Sequence, residues 1–185
     1  MVSVFALWLP IVLAAVLVFV ASSVIHMVLP YHKSDMRKMD GEEAVLAAMR
    51  SAGVKPGEYM FPMCKSMKDM NDPEYVARLN QGPVGTMTVM PNGPWNMGRS
   101  LGQWFAFCLV VSVFVAYITG MAMPRGAGVF RMASTVGVLA YAFTNVTNSI
   151  WKGSAWSSTC KFVFDGLVYG LVTGATFAWL WPAAA

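Results

Sequence analysis

The chain has 185 residues, 57% hydrophobic and only 12% charged, with a net charge of +4 and a mean hydropathy of +0.55. A soluble domain carries about twice that share of charge, so this composition excludes an ordinary water-soluble domain and points to a membrane protein. The positive charge is spread over the loops, which fits anionic headgroups or a partner protein and excludes a nucleic-acid surface.

In chain order, the first apolar run is residues 4–29, VFALWLPIVLAAVLVFVASSVIHMVL. It is longer than a signal-peptide core and has no Lys or Arg before it, so it reads as a retained helix. Pro10 falls in its first turns, where a missing N–H costs little.

Residues 31–100 form the one sizeable polar segment. Asp40-Gly-Glu-Glu43 reads as a capping box opening a short helix with Ala44, Leu46, Ala47 and Met49, stopped at Gly53. Lys55-Pro-Gly57 turns into a strand at EYMF. Asp72-Pro73-Glu74 supplies an N-cap, a proline at the first helical position and an acid in the first turn of a second helix, which ends near Gly82. TMTVM at 86–90 alternates as a second strand. The result is a small α+β cap, marginal by itself.

Three further runs follow at about 101–123, 129–150 and 159–181. Each spans the roughly 20 residues that a helix needs to cross a bilayer. Lipid cannot satisfy backbone polar groups, and period-2 alternation is missing, so the spans are expected to be helical. The predicted fold is therefore an all-α membrane protein, a single membrane domain over 1–185. It has four transmembrane helices and a small α+β extramembrane segment between the first and second. Lys33, Arg37, Lys38, Arg99, Lys152 and Lys161 lie on the loop side, against Arg125 and Arg131 on the terminus side. The positive-inside rule then places 31–100 in the cytoplasm and both termini outside, in a multi-pass membrane protein.

Several residues are candidates for chemistry. YMFPMCKSMKDM at 59–70 holds Met60, Met63, Met67 and Met70 around Cys64, and thioethers suit copper(I). Pro62 breaks any helix that would align them, Lys65 and Lys68 sit beside the supposed cation, and only one cysteine is present. Adaptable packing is the better reading. Cys64, Cys108 and Cys160 form no disulfide or CxxC framework. His26 and His32 are the only histidines. One iron held by both requires a fold-back at Pro30; with no second pair and no CxxCH, haem ligation is not expected, and zinc requires ligands that the sequence does not cluster here. The expectation is therefore an interfacial His26, a solvated His32, and no metal or other cofactor.

Asp165 is the only acid inside a span, and such acids are costly and often functional. Its expected partners are Lys161 one turn back, or Lys152, with Asn145 and Asn148 of the third span, beside Thr144 and Thr147, hydrogen-bonding to it. Gly166, Gly170 and Gly174 form a double GxxxG, a smooth groove for another helix of this chain or of another protein. No phosphate loop, GxSxG, HExxH or paired carboxylates are present, so no catalytic residue is expected.

SSVIHMVLPYHKSD at 22–35, GPVGTMTVMP at 82–91 and DGLVYGLVTGATFAWLWP at 165–182 resemble a family of conserved hypothetical four-span membrane proteins of bacteria. The likeness runs over nearly the whole chain; it implies an architecture and transfers no catalytic residue. The leading expectation is a non-catalytic accessory subunit that packs onto a larger respiratory or photosynthetic membrane complex. Its partners would be lipids and the other subunits, with contacts that hold the Ala183–Ala185 tail. The alternative is a small ion or metal transporter or copper-handling protein using Asp165 or the methionines. A third reading is an enzyme with a polar pocket at the loop–membrane junction, built from His26, His32 and Asp35.

Overall fold

The computed structural model describes residues 1–123 and 127–182; Arg125 and the Ala183–Ala185 tail lie outside the described residues. The chain is mostly helical, with one two-stranded sheet. Four helical segments are long and apolar enough to cross a membrane: Val4–Met27, Met97–Ala122, Val129–Lys152 and Trp156–Trp179. At 1.5 Å per residue, the shortest is about 36 Å long, more than a hydrocarbon core. The chain is therefore read as a multi-pass membrane protein.

Two compact units emerge. The first holds 1–35, 95–149 and the chain from Ser154 on; the second holds 36–94 with 150–153. In the first unit, a 3-10 turn at Val4–Leu7 leads into α1, Trp8–Met27. The second unit carries α2 (Glu42–Ser51), β1 (Gly57–Phe61), α3 (Pro73–Gln81) and β2 (Gly85–Val89). The long spans of the first unit are α4 (Met97–Ala122), α5 (Val129–Ala142) and α7 (Trp156–Trp179); α6 (Val146–Lys152) continues the third span.

The second unit follows its local signals, with one exception. β1 and β2 pair antiparallel, with Gly57 opposite Val89 and Phe61 opposite Gly85. The Asp72 carboxylate accepts from the Glu74 amide, and Pro73 opens α3. Gly53, at φ +65°, closes α2: its amide bonds to the Arg50 carbonyl and the Val54 amide to that of Met49. This is the Schellman arrangement. The expected capping box at Asp40 is not formed. Gly41, left-handed at φ 72°, is the N-cap, so Asp40 lies one residue outside and α2 has no side-chain cap. Within 36–94, Pro62 is the one buried residue.

In the first unit, the glycine groove is used within the chain. Gly166 packs against Ala142, Gly170 against Val138, and Gly174 against Ser134 and the Phe130 carbonyl, so that α7 lies on α5. A β-carbon at Gly170 would sit 2.6 Å from the Val138 backbone nitrogen, and one at Gly174 2.9 Å from the Phe130 oxygen. These are backbone collisions that no rotamer relieves. The third span is not the continuous helix expected over 129–150. It breaks into a 3-10 turn at Phe143–Asn145 before α6 resumes. Thr144 and Thr147 turn their hydroxyls back onto the carbonyls of Tyr141 and Thr144, the competition for backbone acceptors that bends helices.

Gly170→Ala is therefore expected to lower the melting temperature of the detergent-solubilised protein, at a cost of about 1–3 kcal/mol from overpacking. Gly102→Ala, where an added β-carbon meets nothing within 4 Å, serves as the control and is expected to melt no lower than the wild type, since alanine favours a helix over glycine. Equal melting of both variants would contradict the close α5–α7 contact.

Candidate metal centre

The centre is built where the first span ends. After Met27, the amides of Val28 and Leu29 both return to the Val24 carbonyl. Leu29 is extended, and Pro30 starts a 3-10 turn over Pro30–Ser34. Proline disfavours helical geometry in the residue before it and presets its own φ, so the chain turns rather than continuing α1. The turn brings the His32 ring to 4.3 Å from that of His26, with Phe162 of α7 at 5.2 Å from His32.

On α7, Ser158, Lys161, Asp165 and Tyr169 are spaced three and four apart, which places them along one face. Asp165 is 1% exposed. Its Oδ1 accepts a hydrogen bond from the Tyr31 hydroxyl, and its Oδ2 lies 2.8 Å from His32 Nε2. The other nitrogen of His32, Nδ1, is 2.6 Å from Asp35 Oδ2. His26 Nε2 is 3.9 Å from Asp165 Oδ2 and 3.5 Å from the Tyr169 hydroxyl. Lys161 Nζ donates to Asp35 Oδ1 at 2.7 Å, to the Tyr31 carbonyl at 2.6 Å and to Ser34 Oγ at 2.8 Å. Ser158 Oγ donates to Asp35 Oδ1 at 3.1 Å.

A neutral imidazole has one N–H, so His32 donates to both carboxylates only as the imidazolium. In that state two negative and two positive charges cancel within the cluster. Burial pushes the Asp35 carboxyl up, but hydrogen bonds from Lys161, His32 and Ser158 outweigh it and hold Asp35 below its ordinary value of 3.8. Burial, and then the bond to Asp165, push the Tyr31 phenol well above its ordinary value of 10.0. Tyr31 therefore stays a donor.

His26, His32 and Asp165 each offer one ligand atom, and all three atoms lie within 4.8 Å of one another. Sequence reasoning grouped His26, His32 and Asp35 as one polar pocket, which the structure does bring together, and singled out Asp165, but did not join Asp165 to them. The carboxylate expected to pair with Lys161 or Lys152 instead meets Tyr31 and His32. Lys161 points past it to Asp35, and Lys152 lies 3.5 Å from Glu58 in the second unit. His32, expected to be solvated, has a side chain only 11% exposed, because the turn at Pro30 lays it on α7. Among the described residues, no hydrogen bond joins Asn145 or Asn148 to Asp165. The polar link between α6 and α7 is Ser149 Oγ to Thr159 Oγ1, 2.5 Å. Asn145 lines a cavity that Asp165 also lines, and the Asn148 carbonyl accepts from the Ser154 amide. Met60, Met63, Met67 and Met70 are all exposed, and Cys64, Cys108 and Cys160 are free thiols. A sequence signal for the centre does exist: the face Ser158, Lys161, Asp165, Tyr169, read together with HisxxAsp at 32–35.

No family model, curated protein or solved structure matches the chain.

Asp35→Asn is expected to destabilise the first unit by about 2 kcal/mol, as for a hydrogen bond to a charged group. A carboxyl whose pKa falls on folding adds stability above its unfolded value and loses it as the pH drops through the lower folded value. The difference in melting temperature between wild type and variant should thus shrink as the pH falls through and below 3.8, the ordinary value of the carboxyl. A difference that grows in acid would contradict the Asp35 network.

Proposed function

We propose that this multi-pass membrane protein binds a divalent transition-metal ion through His26 Nε2, His32 Nε2 and Asp165 Oδ2. The convergence of these three atoms carries the reading. Metal bonds of roughly 2.0–2.2 Å set neighbouring ligand atoms about 3.0–3.5 Å apart. The separations of 2.8 and 3.9 Å bracket that range. The surroundings support the same reading. Asp35 on His32 Nδ1 is the outer carboxylate that orients metal-bound histidines, and Tyr31 fixes the second oxygen of Asp165.

Two imidazoles and a carboxylate suit zinc, iron(II) or manganese(II), and not copper(I), which takes sulfur. Three protein ligands leave at least one coordination position open. The ion takes the place of the proton shared between His32 and Asp165, so binding weakens in acid. This reading develops the metal-handling alternative; we propose no catalytic step. The charge bias of the loops favours the cap on the cytoplasmic side.

A second reading, the accessory subunit, is favoured by one observation. Residues 36–94 bury only Pro62 and leave Met36, Met63 and Met67 well exposed. A segment so poor in core is covered by something, and methionine-rich surfaces suit adaptable contacts. If so, the chain should co-migrate in stoichiometric amount with one large assembly from gently solubilised native membranes. Migration alone would count against this reading.

For the metal reading, calorimetric titration of zinc into the metal-stripped protein in detergent should show one site per chain. Asp165→Asn and His32→Gln should remove it. Asp35→Asn, which leaves all three ligands, should weaken it by roughly 10–100-fold, the usual cost of an outer partner. Equal binding by wild type, Asp165→Asn and His32→Gln would overturn the assignment.

A further inference from the structure

A cavity of about 560 Å³ lies inside the first unit, and His26 and Asp165 line it. Two of the three ligands therefore face the same space, and an ion held by them sits at its polar end. The body of the cavity is aromatic: Trp104 stacks on Phe107 at 5.6 Å, and Tyr141 meets Tyr169 edge-on at 5.7 Å. Trp104 is fixed by its bond from Nε1 to Ser22 Oγ, 2.8 Å. The lining also includes Met27, Met97 and Leu101, which are exposed and make the mouth apolar. The volume falls within the roughly 300–1,000 Å³ of small-molecule sites.

One further feature describes an occupant, and it is charge. A divalent ion on two neutral imidazoles and one carboxylate leaves one net positive charge, and Lys161 is already engaged by Asp35. The head that completes such a centre is an anionic oxygen donor, and a cationic head is disfavoured.

We propose that the cavity binds a membrane-soluble amphiphile whose carboxylate or phenolate oxygen takes the open position on the ion and whose apolar body lies against Trp104, Phe107 and Tyr141. This rests on the metal reading. Fatty acids and alkylphenols share the chemistry, and the test separates them.

Cobalt(II), loaded in place of the native ion, gives visible ligand-field bands that respond to a new ligand. Decanoic acid and 4-octylphenol would be titrated separately into the cobalt-loaded protein in detergent, with decyltrimethylammonium as the control. The expected result is a saturable spectral change at one equivalent with one or both oxygen-head probes, the phenol giving up its proton to water as its oxygen binds the ion. The probe that saturates at lower concentration identifies the source, and the ammonium probe should give no change. Leu101→Trp, which fills the cavity mouth and spares the ligands, should keep the cobalt bands and lose the response. Cobalt bands that no probe alters, or that all three alter alike, would overturn the cavity proposal and leave the metal reading standing. Absence of cobalt bands in the wild type would overturn both.

Discussion

The arrangement of the first unit depends on the placement of His32 between two carboxylates. Asp35 lies three residues away on the same turn, whereas Asp165 lies on α7, 133 residues further along the chain. One imidazole thus ties the end of α1 to the buried face of α7. Asp165 depends on it most: it is almost fully buried, and an unpaired charge there would cost several kcal/mol. Lys161 balances Asp35, and Tyr31 caps the free oxygen of Asp165. The cluster is complete only because the chain turns back at Pro30. Close packing of α7 on α5 through Gly166, Gly170 and Gly174 holds the carboxylate-bearing face in place.

Much of this architecture was legible in the sequence. The four spans follow from apolar length, and the elements of the cap follow from local signals such as Asp72-Pro73 and Gly53, because each of these acts within a few residues. The double GxxxG announced a close helix contact, although only the structure shows α5 of the same chain on the other side. The centre was legible only in part, for a matching reason. Positions 26, 32 and 35 lie close in sequence and read as one pocket, but no periodicity connects the end of one span to Asp165 on the face of another. The local rule for charges at i and i+4 paired Asp165 with Lys161. It failed because Lys161 finds a carboxylate, a carbonyl and a hydroxyl on the returning turn, a richer set than one carboxylate below it. The break at Phe143–Asn145 was hinted at by its threonines, but apolar length outweighed them in reading one continuous span.

The two functional readings draw on different units. The centre, its outer partners and the aromatic cavity all belong to the first unit, and they account for the costly placement of an acid inside a span. The bare, methionine-rich second unit is what keeps a partner in view. The glycine groove no longer argues for a partner, since α5 occupies it. A metal-binding membrane unit and a cap that docks elsewhere are compatible in one chain, but only the first is described by converging side chains.

The most direct test is anomalous diffraction at the zinc absorption edge, from crystals of the full chain grown with zinc. The account predicts one strong peak between His26 Nε2, His32 Nε2 and Asp165 Oδ2, with His32 Nδ1 still on Asp35. A map with no peak there, or with zinc only at surface carboxylates, would contradict it and leave His32 as a hydrogen-bonded bridge between two acids.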